Sequence, residues 1–573
     1  MWNRLREWWP YLAVVAGTLA LNLAGLGASP LWDQDETKYA QVAREILWTG
    51  DWLTLHWNGD PWFVHPPLYF WLVAATARVF GLTEFTARVW SAVFGAGAVA
   101  LTALLGRAWF SPRAGWLAGL VVATTLQWFA QSRLAVFDSV LVFWMLGTLL
   151  GFWAGYRGRR TGYLAAFACA GLGTLTKGPV AAVLPGLAAL AYLAWRRELR
   201  RLREIPWAAG LALYGLVGLS WYAAGYLRHG APFLRSVLGY YTVHRFVGVV
   251  ENQAGPVWYY VPVLLLGGLP WNALWLAWPH LFRRGGEPMP LVWCAVVFGF
   301  FSAAGTKLPN YVLAFYPLAA VATGAALDAF WDRPGKLRWG FAALAGLWVL
   351  FCAAVVAYGL SLYQAESRTV FPVVAVPLLV LGASLLGAAA FGLRGDTRAA
   401  VAVLASGAVA FFLLLTWRVM PEVDRHRPHR EVARTAAAWT QGAEVRVAYW
   451  VPNSLVFYSG RTWRAYLDPE RARREVCSAG ARRVVLVAPQ ARWQELRPGK
   501  GAVLVLEGKA ATLLPQVAAE MGWSRDQLLE NLARKAGLAP SAYRHPRARL
   551  YVFEAQVFAE SAAETDGHSR RGQ

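Results

Sequence analysis

Apolar runs long enough to cross a membrane recur from Trp8 to Met420, and this feature constrains the fold more than any other. A transmembrane helix needs about 20 consecutive apolar residues, because the hydrocarbon core of a bilayer is about 30 Å thick. Hydrophobic residues make up 57% of the 573-residue chain, more than soluble domains contain. The first part of the chain therefore predicts an all-α polytopic membrane domain, and the polar sequence after Met420 predicts a separate domain.

The basic loops orient the predicted spans. If Pro67–Leu82 is an amphipathic helix at the membrane interface rather than a span, the short loops rich in Lys and Arg all lie on one face, which is then cytoplasmic. The apolar run that ends at Gly27 is too long for a signal peptide and predicts an uncleaved first span. About thirteen transmembrane helices plus interfacial helices follow, with a cytoplasmic N-terminus and an extracytoplasmic tail. After the first, the spans are predicted at about 85–106, 114–132, 138–156, 161–176, 179–195, 206–227, 257–279, 290–305, 309–331, 338–361, 371–393 and 398–420.

The net charge of +22 does not indicate nucleic-acid binding. The basic residues of the membrane half lie mainly in short loops, and the chain has no zinc-finger or RNA-binding signature. Three of the four cysteines fall in apolar spans and Cys477 is alone in the tail, so no disulfide framework is indicated. We expect the lipid bilayer, and no nucleic acid, among the partners of the chain.

Polar and charged residues from widely separated loops fall on the predicted outer face. Ionisable groups beside hydrocarbon are expensive and usually functional, so this convergence predicts one site at the outer rim of the membrane. Transporters bind their substrates near the midplane between repeated halves, and neither feature is found here. A rim site favours an enzyme over a transporter. The residues of this face are the Asp35-Glu36-Thr37-Lys38-Tyr39 cluster, His65, Arg133, Asp138, Lys177, His244-Arg245, Lys307 and Tyr311.

Each of these residues also has a structural interpretation. Asp35 stands near a helix start, where a carboxylate caps backbone amides without any catalytic role. Lys177 can extend from the end of its span toward water, and Tyr311 can belong to the aromatic belt at the interface. His65 and Lys307 can be packed polar anchors. Asp33 fits a structural or solvated role better than a catalytic one.

Five motifs occur in order along the membrane half. They are the acidic pair Asp35-Glu36 followed by "REILWTGDW" and "WFVHPPLYFW", then "RLAVFDS", "LTKGP", "HRF" and "TKLPNYVLAFYP". Together they resemble lipid-linked-sugar glycosyltransferases of the GT-C fold, from about residue 10 to 420. The resemblance is closest to the 4-amino-4-deoxy-L-arabinose transferases that modify lipid A and to the bacterial dolichyl-phosphate-mannose protein mannosyltransferase-like family. The topology of that family agrees with the orientation inferred from the loops.

The resemblance also implies roles for individual residues. Asp35 corresponds to the catalytic acidic residue of the first outer loop. Asp138 corresponds to the second acidic residue and is also predicted to be catalytic, by stabilising positive charge on the sugar. Glu36, Lys38 and Tyr39 accompany Asp35 as substrate-binding residues. The groups expected at the polyprenyl phosphate are Lys177, Arg245 and Tyr311, with His65 and Lys307 as further candidates.

Two positions depart from the aminoarabinose transferases. Val64-His65 stands where they have Glu-Lys before the paired prolines, and Thr242 stands where they have a His. That Glu and His resemble metal ligands, so no metal site is carried over, although a divalent metal stays possible and no cofactor is certain. The identity of the sugar and of the acceptor stays open for the same reason.

The predicted activity is transfer of a sugar from a polyprenyl (undecaprenyl) phosphate donor to an acceptor on the extracytoplasmic face of the inner or plasma membrane. Cations stabilise the leaving phosphate, and a carboxylate deprotonates the attacking group. An aminoarabinose-transferase-like modifier of lipid A or another envelope lipid is the leading prediction. A protein O-mannosyltransferase-like or glycan glycosyltransferase is the alternative within the class, and a flippase of lipid-linked sugars is the alternative outside it.

The tail has a composition typical of a small extracytoplasmic α/β domain. We predict domains at 1–420, 421–558 and a disordered end at 559–573. Predicted strands are 444–450, 483–488, 502–507 and 550–554, and predicted helices are 430–440, 469–479 and 511–536. Asp424, His426 and His429 have metal-ligand spacing, but their arginine neighbours favour a solvated linker.

Overall fold

The computed structural model describes the membrane half almost completely and the tail in segments. The described residues are 2–250, 252–283, 285–332, 339–343, 345–346, 349–350, 352–353, 367–425, 430, 433–434, 437, 445–448, 453–465, 484–487, 500–506, 509–513, 524–535, 538–544 and 549–554. The chain divides into two compact units. One comprises Met1–Leu31 and Tyr39–His426, and the other comprises Trp32–Lys38 and Arg427–Gln573.

The regular structure among the described residues of the first unit is helical apart from one short hairpin. Its α-helices are Trp2–Leu23, Asp35–Thr49 (whose first turn belongs to the other unit), Leu68–Phe80, Glu84–Trp109, Pro112–Ala123, Leu126–Gln131, Asp138–Tyr156, Arg160–Lys177, Val180–Trp195, Trp207–Tyr214, Ser220–His229, Ala231–Leu234, Arg245–Val247, Tyr260–Gly267, Trp278–Phe282, Met289–Ala303, Phe315–Ala329, Ser367–Arg394, Thr397–Leu414 and Met420–Arg425. Shorter 3₁₀ helices are Leu199–Glu204, Val257–Tyr259, Asn272–Ala277 and Pro309–Ala314, and π-helical turns are Gly215–Leu219, Arg235–His244 and Leu415–Val419. The hairpin pairs His56–Trp57 with Asp60–Pro61.

Six helical segments of the described residues are long and apolar enough to cross a membrane. They are Glu84–Trp109, Asp138–Tyr156, Trp207–His229, Pro309–Ala329, Pro372–Arg394 and Thr397–Arg425. The prediction of a multi-pass helical membrane protein is thus confirmed, while the total of thirteen spans stays a prediction. Leu68–Phe80 has 13 residues and is about 20 Å long at 1.5 Å per residue, too short to span, in keeping with an interfacial helix.

Glycine contacts bring two consecutive helices into close antiparallel contact. Asp138–Tyr156 and Arg160–Lys177 are joined by a three-residue turn. A Cβ at Gly151 would lie 2.7 Å from the backbone nitrogen of Ala166, and one at Gly162 would lie 2.5 Å from the nitrogen of Gly155. Small residues allow helix backbones this close in membranes. Because the pair is antiparallel, the first residue of one helix and the last residue of the other lie at the same end.

Two predicted spans are broken. In the predicted span 114–132, one helix ends at Ala123 and the next begins at Leu126. At the break, the hydroxyls of Thr124 and Thr125 donate to the carbonyls of Leu120 and Val121. Such local bonds compete with a continuous helix. The predicted span 257–279 is divided into short α and 3₁₀ segments around Pro270, which has no N–H to donate.

The second unit contains two small sheets among its described residues. Val445–Ala448 lies between Arg464–Ala465 and Val484–Val487 in a parallel sheet. Lys500–Leu506 pairs antiparallel with Lys509–Leu513 and with Arg549–Glu554. The described helices are Asn453–Ser459, Arg525–Lys535 and the 3₁₀ helix Pro540–Arg544.

The predicted strands of the tail coincide with observed strands, and one predicted helix is wrong at its start. Residues 511–513 were expected to be helical but belong to the strand Lys509–Leu513, because pairing with Lys500–Leu506 overrides an alanine-rich helical propensity. The predicted helix 469–479 and the end at 559–573 lie outside the described residues, as does most of the predicted helix 430–440. The domain boundary at residue 421 stays a prediction.

Candidate active site

A buried ion pair lies where the two antiparallel helices end. Asp138, the first residue of Asp138–Tyr156, accepts a hydrogen bond at Oδ1 from the ammonium of Lys177, 2.5 Å away. Its second oxygen accepts from Nδ2 of Asn310 at 3.1 Å. The Asp138 side chain is 5% exposed and that of Lys177 is 16% exposed. Both carboxylate oxygens thus have donors, and the Lys177 side chain stays more exposed than that of Asp138.

Aromatic rings surround the ammonium. Its nitrogen lies 5.1 Å from the ring centre of Phe137 and 5.2 Å from that of Tyr311, distances suited to cation–π attraction. Phe137 also contacts Tyr39, stacked at 5.0 Å, and His65, edge-on at 4.7 Å. The Tyr39 hydroxyl lies 3.4 Å from Nε2 of His65. Phe137, adjacent to Asp138 in sequence, therefore connects Tyr39 and the His65 imidazole to the ion pair, whereas Tyr311 contacts the ammonium directly.

A second group contains Arg245. Its Nη2 donates to Oε1 of Gln253 at 3.0 Å. The Gln253 carbonyl accepts the backbone N–H of Lys307 at 2.9 Å. The Thr306 hydroxyl donates to the carbonyl of Gly248 at 3.0 Å. The loop after Arg245 is thus bonded to the segment that leads to Asn310, which joins this group to the ion pair.

Lys307 occupies a helix end. Its ammonium donates to the carbonyls of Ser302 at 2.9 Å and Ala304 at 2.7 Å, at the end of Met289–Ala303. Burial lowers the pKa of the Lys307 ammonium from its ordinary value. A buried ammonium is tolerated when acceptors replace its water. These contacts favour the interpretation of Lys307 as a polar anchor over the predicted phosphate-binding role.

Replacing Lys307 with methionine should therefore lower the thermal midpoint of the detergent-solubilised protein by a few degrees. The carbonyls would lose their donor, and a buried group without a partner costs about 1–3 kcal/mol. Lys307→Arg keeps positive charge and donors and is the matched control. If Lys307→Met unfolds at the wild-type temperature but binds donor lipid more weakly, Lys307 belongs with the phosphate ligands.

The acidic cluster forms a capped helix start in the second unit. Glu36 is 2% exposed and its Oε2 accepts the backbone N–H of Trp32 at 2.8 Å. Asp33 accepts at Oδ1 from the hydroxyl of Thr37 at 3.4 Å. Glu36 thus stabilises the turn that precedes the helix, which favours a positioning role for it over substrate binding. Asp35 is the first residue of that helix.

Two arginines fix the end of the first helix. Nη1 of Arg133 donates to the carbonyls of Leu21 and Asn22, and Arg88 donates to those of Leu26, Ser29 and Pro30 in the loop that follows. Positive charge is favourable at a helix C-terminus. Burial, together with the charge of Arg88, lowers the pKa of Arg133 to about 10. This supports a structural role for Arg133, and the loop that Arg88 holds leads directly to the acidic cluster.

The positions that depart from the aminoarabinose transferases do not form a metal cluster. Among the described residues, no three His, Cys, Asp or Glu side chains come together around a point where they could hold a metal ion. The Thr242 hydroxyl donates to the carbonyl of Val237, and His65 lies against aromatic rings.

The structure brings five predicted site residues into one contact network: Tyr39, His65, Asp138, Lys177 and Tyr311. Arg245 belongs to the neighbouring group, Lys307 lies at a helix end, and Asp35, Glu36 and Lys38 belong to the other unit. The sequence prediction did not single out Phe137, Asn310 or Gln253. The available signal was adjacency, because Phe137 precedes Asp138 and Asn310 precedes Tyr311.

Comparisons with known proteins show which families the chain resembles. The family model described as dolichyl-phosphate-mannose-protein mannosyltransferase matches residues 8–229, and the model described as AMMECR1 matches residues 479–558. An undecaprenyl phosphate-alpha-4-amino-4-deoxy-L-arabinose arabinosyl transferase of Pseudomonas aeruginosa is 33% identical over 395 residues, which are 66% of this chain and 70% of the relative. An uncharacterized protein of Aquifex aeolicus is 29% identical and covers 79% of this chain and 87% of its own length.

The fold is also found among solved structures. The crystal structure of ArnT from Cupriavidus metallidurans bound to undecaprenyl phosphate aligns with a TM-score of 0.74 at 23% identity, over 84% of this chain and 93% of that one. Fold, site and relatives together define a multi-pass membrane glycosyltransferase of the GT-C type. More narrowly, the chain belongs to the family of undecaprenyl phosphate-alpha-4-amino-4-deoxy-L-arabinose arabinosyl transferases. The predicted family and enzyme class are confirmed.

Proposed function

We propose that this enzyme transfers a sugar from a polyprenyl phosphate to an acceptor at the extracytoplasmic leaflet. The leading donor is 4-amino-4-deoxy-L-arabinose on undecaprenyl phosphate, which the names of the relatives specify for those proteins. The leading acceptor is lipid A or another envelope lipid. A cytoplasmic N-terminus, about thirteen spans and an extracytoplasmic α/β tail are part of the same proposal.

The observation that carries this proposal is the Lys177 ammonium held between Asp138 and two aromatic rings. Cleavage of the sugar–phosphate bond leaves negative charge on the departing lipid phosphate. An ammonium has three N–H donors, and a prepositioned one stabilises that charge without reorganising during the reaction. Arg245, which offers bidentate geometry to phosphate, is the second candidate ligand.

The carboxylates have separate roles in this scheme. Asp138 is bonded on both oxygens, so it orients Lys177 rather than taking up a proton. Asp35 is the general base that deprotonates the acceptor, as the resemblance of the first outer loop implies. It precedes Tyr39 by four residues in one helix, a spacing that places both side chains on the same helix face.

A protein or glycan acceptor is the second candidate. The mannosyltransferase family model matches the part of the chain that contains Asp35, His65, Asp138 and Lys177. Val64-His65 and Thr242 replace the Glu-Lys and the His of the aminoarabinose enzymes, so the recognition of sugar or acceptor is expected to differ. This candidate keeps the same donor chemistry and changes only the molecule that receives the sugar.

Mass spectrometry of the cell envelope tests the proposal. Lipids and proteins are compared between cells that contain the enzyme and cells that lack it, with an Asp35→Asn strain as the matched inactive control. We expect an amino-sugar adduct on an envelope lipid that disappears in both control strains. Unchanged lipids with a lost glycoprotein identify the second candidate. Lipid-linked sugar that only changes leaflet, with no sugar on a new molecule, contradicts both.

A further inference from the structure

The turn before Asp35 is hydrogen-bonded to the tail. Oδ1 of Asp33 accepts the backbone N–H of Ser454 at 2.9 Å, and the carbonyl of Gln34 accepts Nδ2 of Asn453 at 2.9 Å. The partners are 421 and 419 residues apart in the chain. Trp32–Lys38 accordingly belongs to the same compact unit as the tail. Neither the ion pair nor the aromatic network accounts for these contacts.

Gln34 has an unfavourable backbone conformation. Its φ is +72°, in the left-handed region that residues other than glycine rarely adopt. Such conformations persist where surrounding contacts impose them, and they concentrate at functional sites. The Gln34 carbonyl also accepts the backbone N–H of Lys38 at 3.3 Å, across the first turn of the helix that Asp35 begins. The conformation of Gln34 therefore determines how this helix starts, and with it the direction of the Asp35 side chain.

We propose that the tail orients the catalytic carboxylate, with Asn453 and Asp33 as positioning residues. Asn453 donates to the carbonyl of Gln34, and Asp33 accepts from the backbone of Ser454. Two hydrogen bonds from adjacent residues therefore fix the strained turn to the tail. The inference rests on the proposed function in treating Asp35 as the base. It gives the tail a role in the chemical step itself, beyond recruiting an acceptor.

Substitutions of Asn453 test the proposal in the full-length purified enzyme. Asn453→Ala removes the donor to Gln34 and should lower kcat for sugar transfer about 10-fold, because small displacements of a catalytic group can cost up to about 100-fold. Asn453→Asp should lower kcat further, since a carboxylate would face the Gln34 carbonyl. The matched control is Asn531→Ala, also in the tail, whose side chain bonds only the Gln527 carbonyl of its own helix among the described contacts. It should leave kcat unchanged.

A second substitution separates positioning from general damage to the tail. Asparagine adopts the left-handed region more readily than glutamine, so Gln34→Asn should make the turn less dependent on Asn453. The loss caused by Asn453→Ala should shrink to about 2- to 3-fold in a Gln34→Asn background. An equal loss in both backgrounds overturns the proposal, because the effect of Asn453 would then not pass through the turn.

Hydrogen exchange supplies a readout that does not depend on activity. Peptides covering residues 32–38 should exchange faster in Asn453→Ala than in wild type or Asn531→Ala. Unchanged exchange there overturns the positioning role even if the enzyme transfers sugar. A different outcome is that the wild-type enzyme transfers no sugar, although residues 32–38 exchange faster in Asn453→Ala. That outcome contradicts the proposed function but supports the structural link between the tail and the turn.

Discussion

Asp35→Asn is expected to lower the rate of sugar transfer by about 10²–10⁴-fold, the range typical of a lost general base. Asparagine has nearly the same shape and still accepts hydrogen bonds, so the helix start should persist. The measurement is turnover of a polyprenyl-phosphate-linked sugar by purified enzyme. Asp60→Asn, which alters an exposed carboxylate in the short hairpin, is the matched control. Near-normal transfer by Asp35→Asn would remove Asp35 from catalysis.

The acceptor decides how this loss depends on pH. A hydroxyl acceptor must lose a proton at every accessible pH, so the loss should stay constant. A phosphate acceptor is already a dianion above its second pKa of about 6. With such an acceptor, the decrease in rate caused by Asp35→Asn should become smaller above pH 6 if Asp35 acts as a base. The decrease should stay the same at every pH if Asp35 instead stabilises positive charge on the sugar. Direct displacement should invert the sugar carbon, whereas a retained configuration would make Asp35 a nucleophile.

The sequence predicted that Asp138 and Lys177 lie at one site, because helix ends were predictable, but it did not predict that they form an ion pair. Asp138 starts the predicted span 138–156 and Lys177 follows the predicted span 161–176, so both residues were placed on one face of the membrane. The glycine contacts between the two helices then bring the two side chains together. The one sequence signal for Phe137 was its place next to Asp138, because a phenylalanine in an apolar run has the same pattern whether it packs in a core or contacts a cation. Asn310 was missed for a similar reason. An asparagine beside a helix start is common, so it does not by itself indicate a site residue.

The sequence did not reveal the direction in which side chains point or the contacts between residues far apart in the chain. Lys307 was predicted at the outer face, but spacing does not show whether an ammonium points toward a ligand or back to its own helix end. The strain at Gln34 depends on partners more than 400 residues away. The helix predicted from residue 511 failed because strand pairing is non-local, whereas propensity is a property of the segment alone.

The second large effect is expected at Lys177. Lys177→Met should lower kcat/KM for the lipid-linked donor by about 10²–10³-fold, the range seen when one prepositioned donor is lost from a developing anion. The same change leaves the buried Asp138 carboxylate without its cation, which costs about 3–5 kcal/mol of stability. Loss of activity in this variant alone would therefore have two explanations. Arg107→Gln, which breaks the more exposed ion pair with Glu7, is the matched control and should change neither quantity much.

A double substitution separates the two explanations. Asp138→Asn combined with Lys177→Met removes the buried charge together with its partner, so thermal stability should return toward wild type, as it does when both members of a buried pair are replaced. Activity should stay low, because no cation faces the leaving phosphate. Recovery of transfer in the double variant would contradict the phosphate role, since Lys177 would then matter only as the counter-ion of Asp138. Lys177→Arg should retain part of the activity, because the guanidinium keeps the charge but not the compact shape that fits between Phe137 and Tyr311.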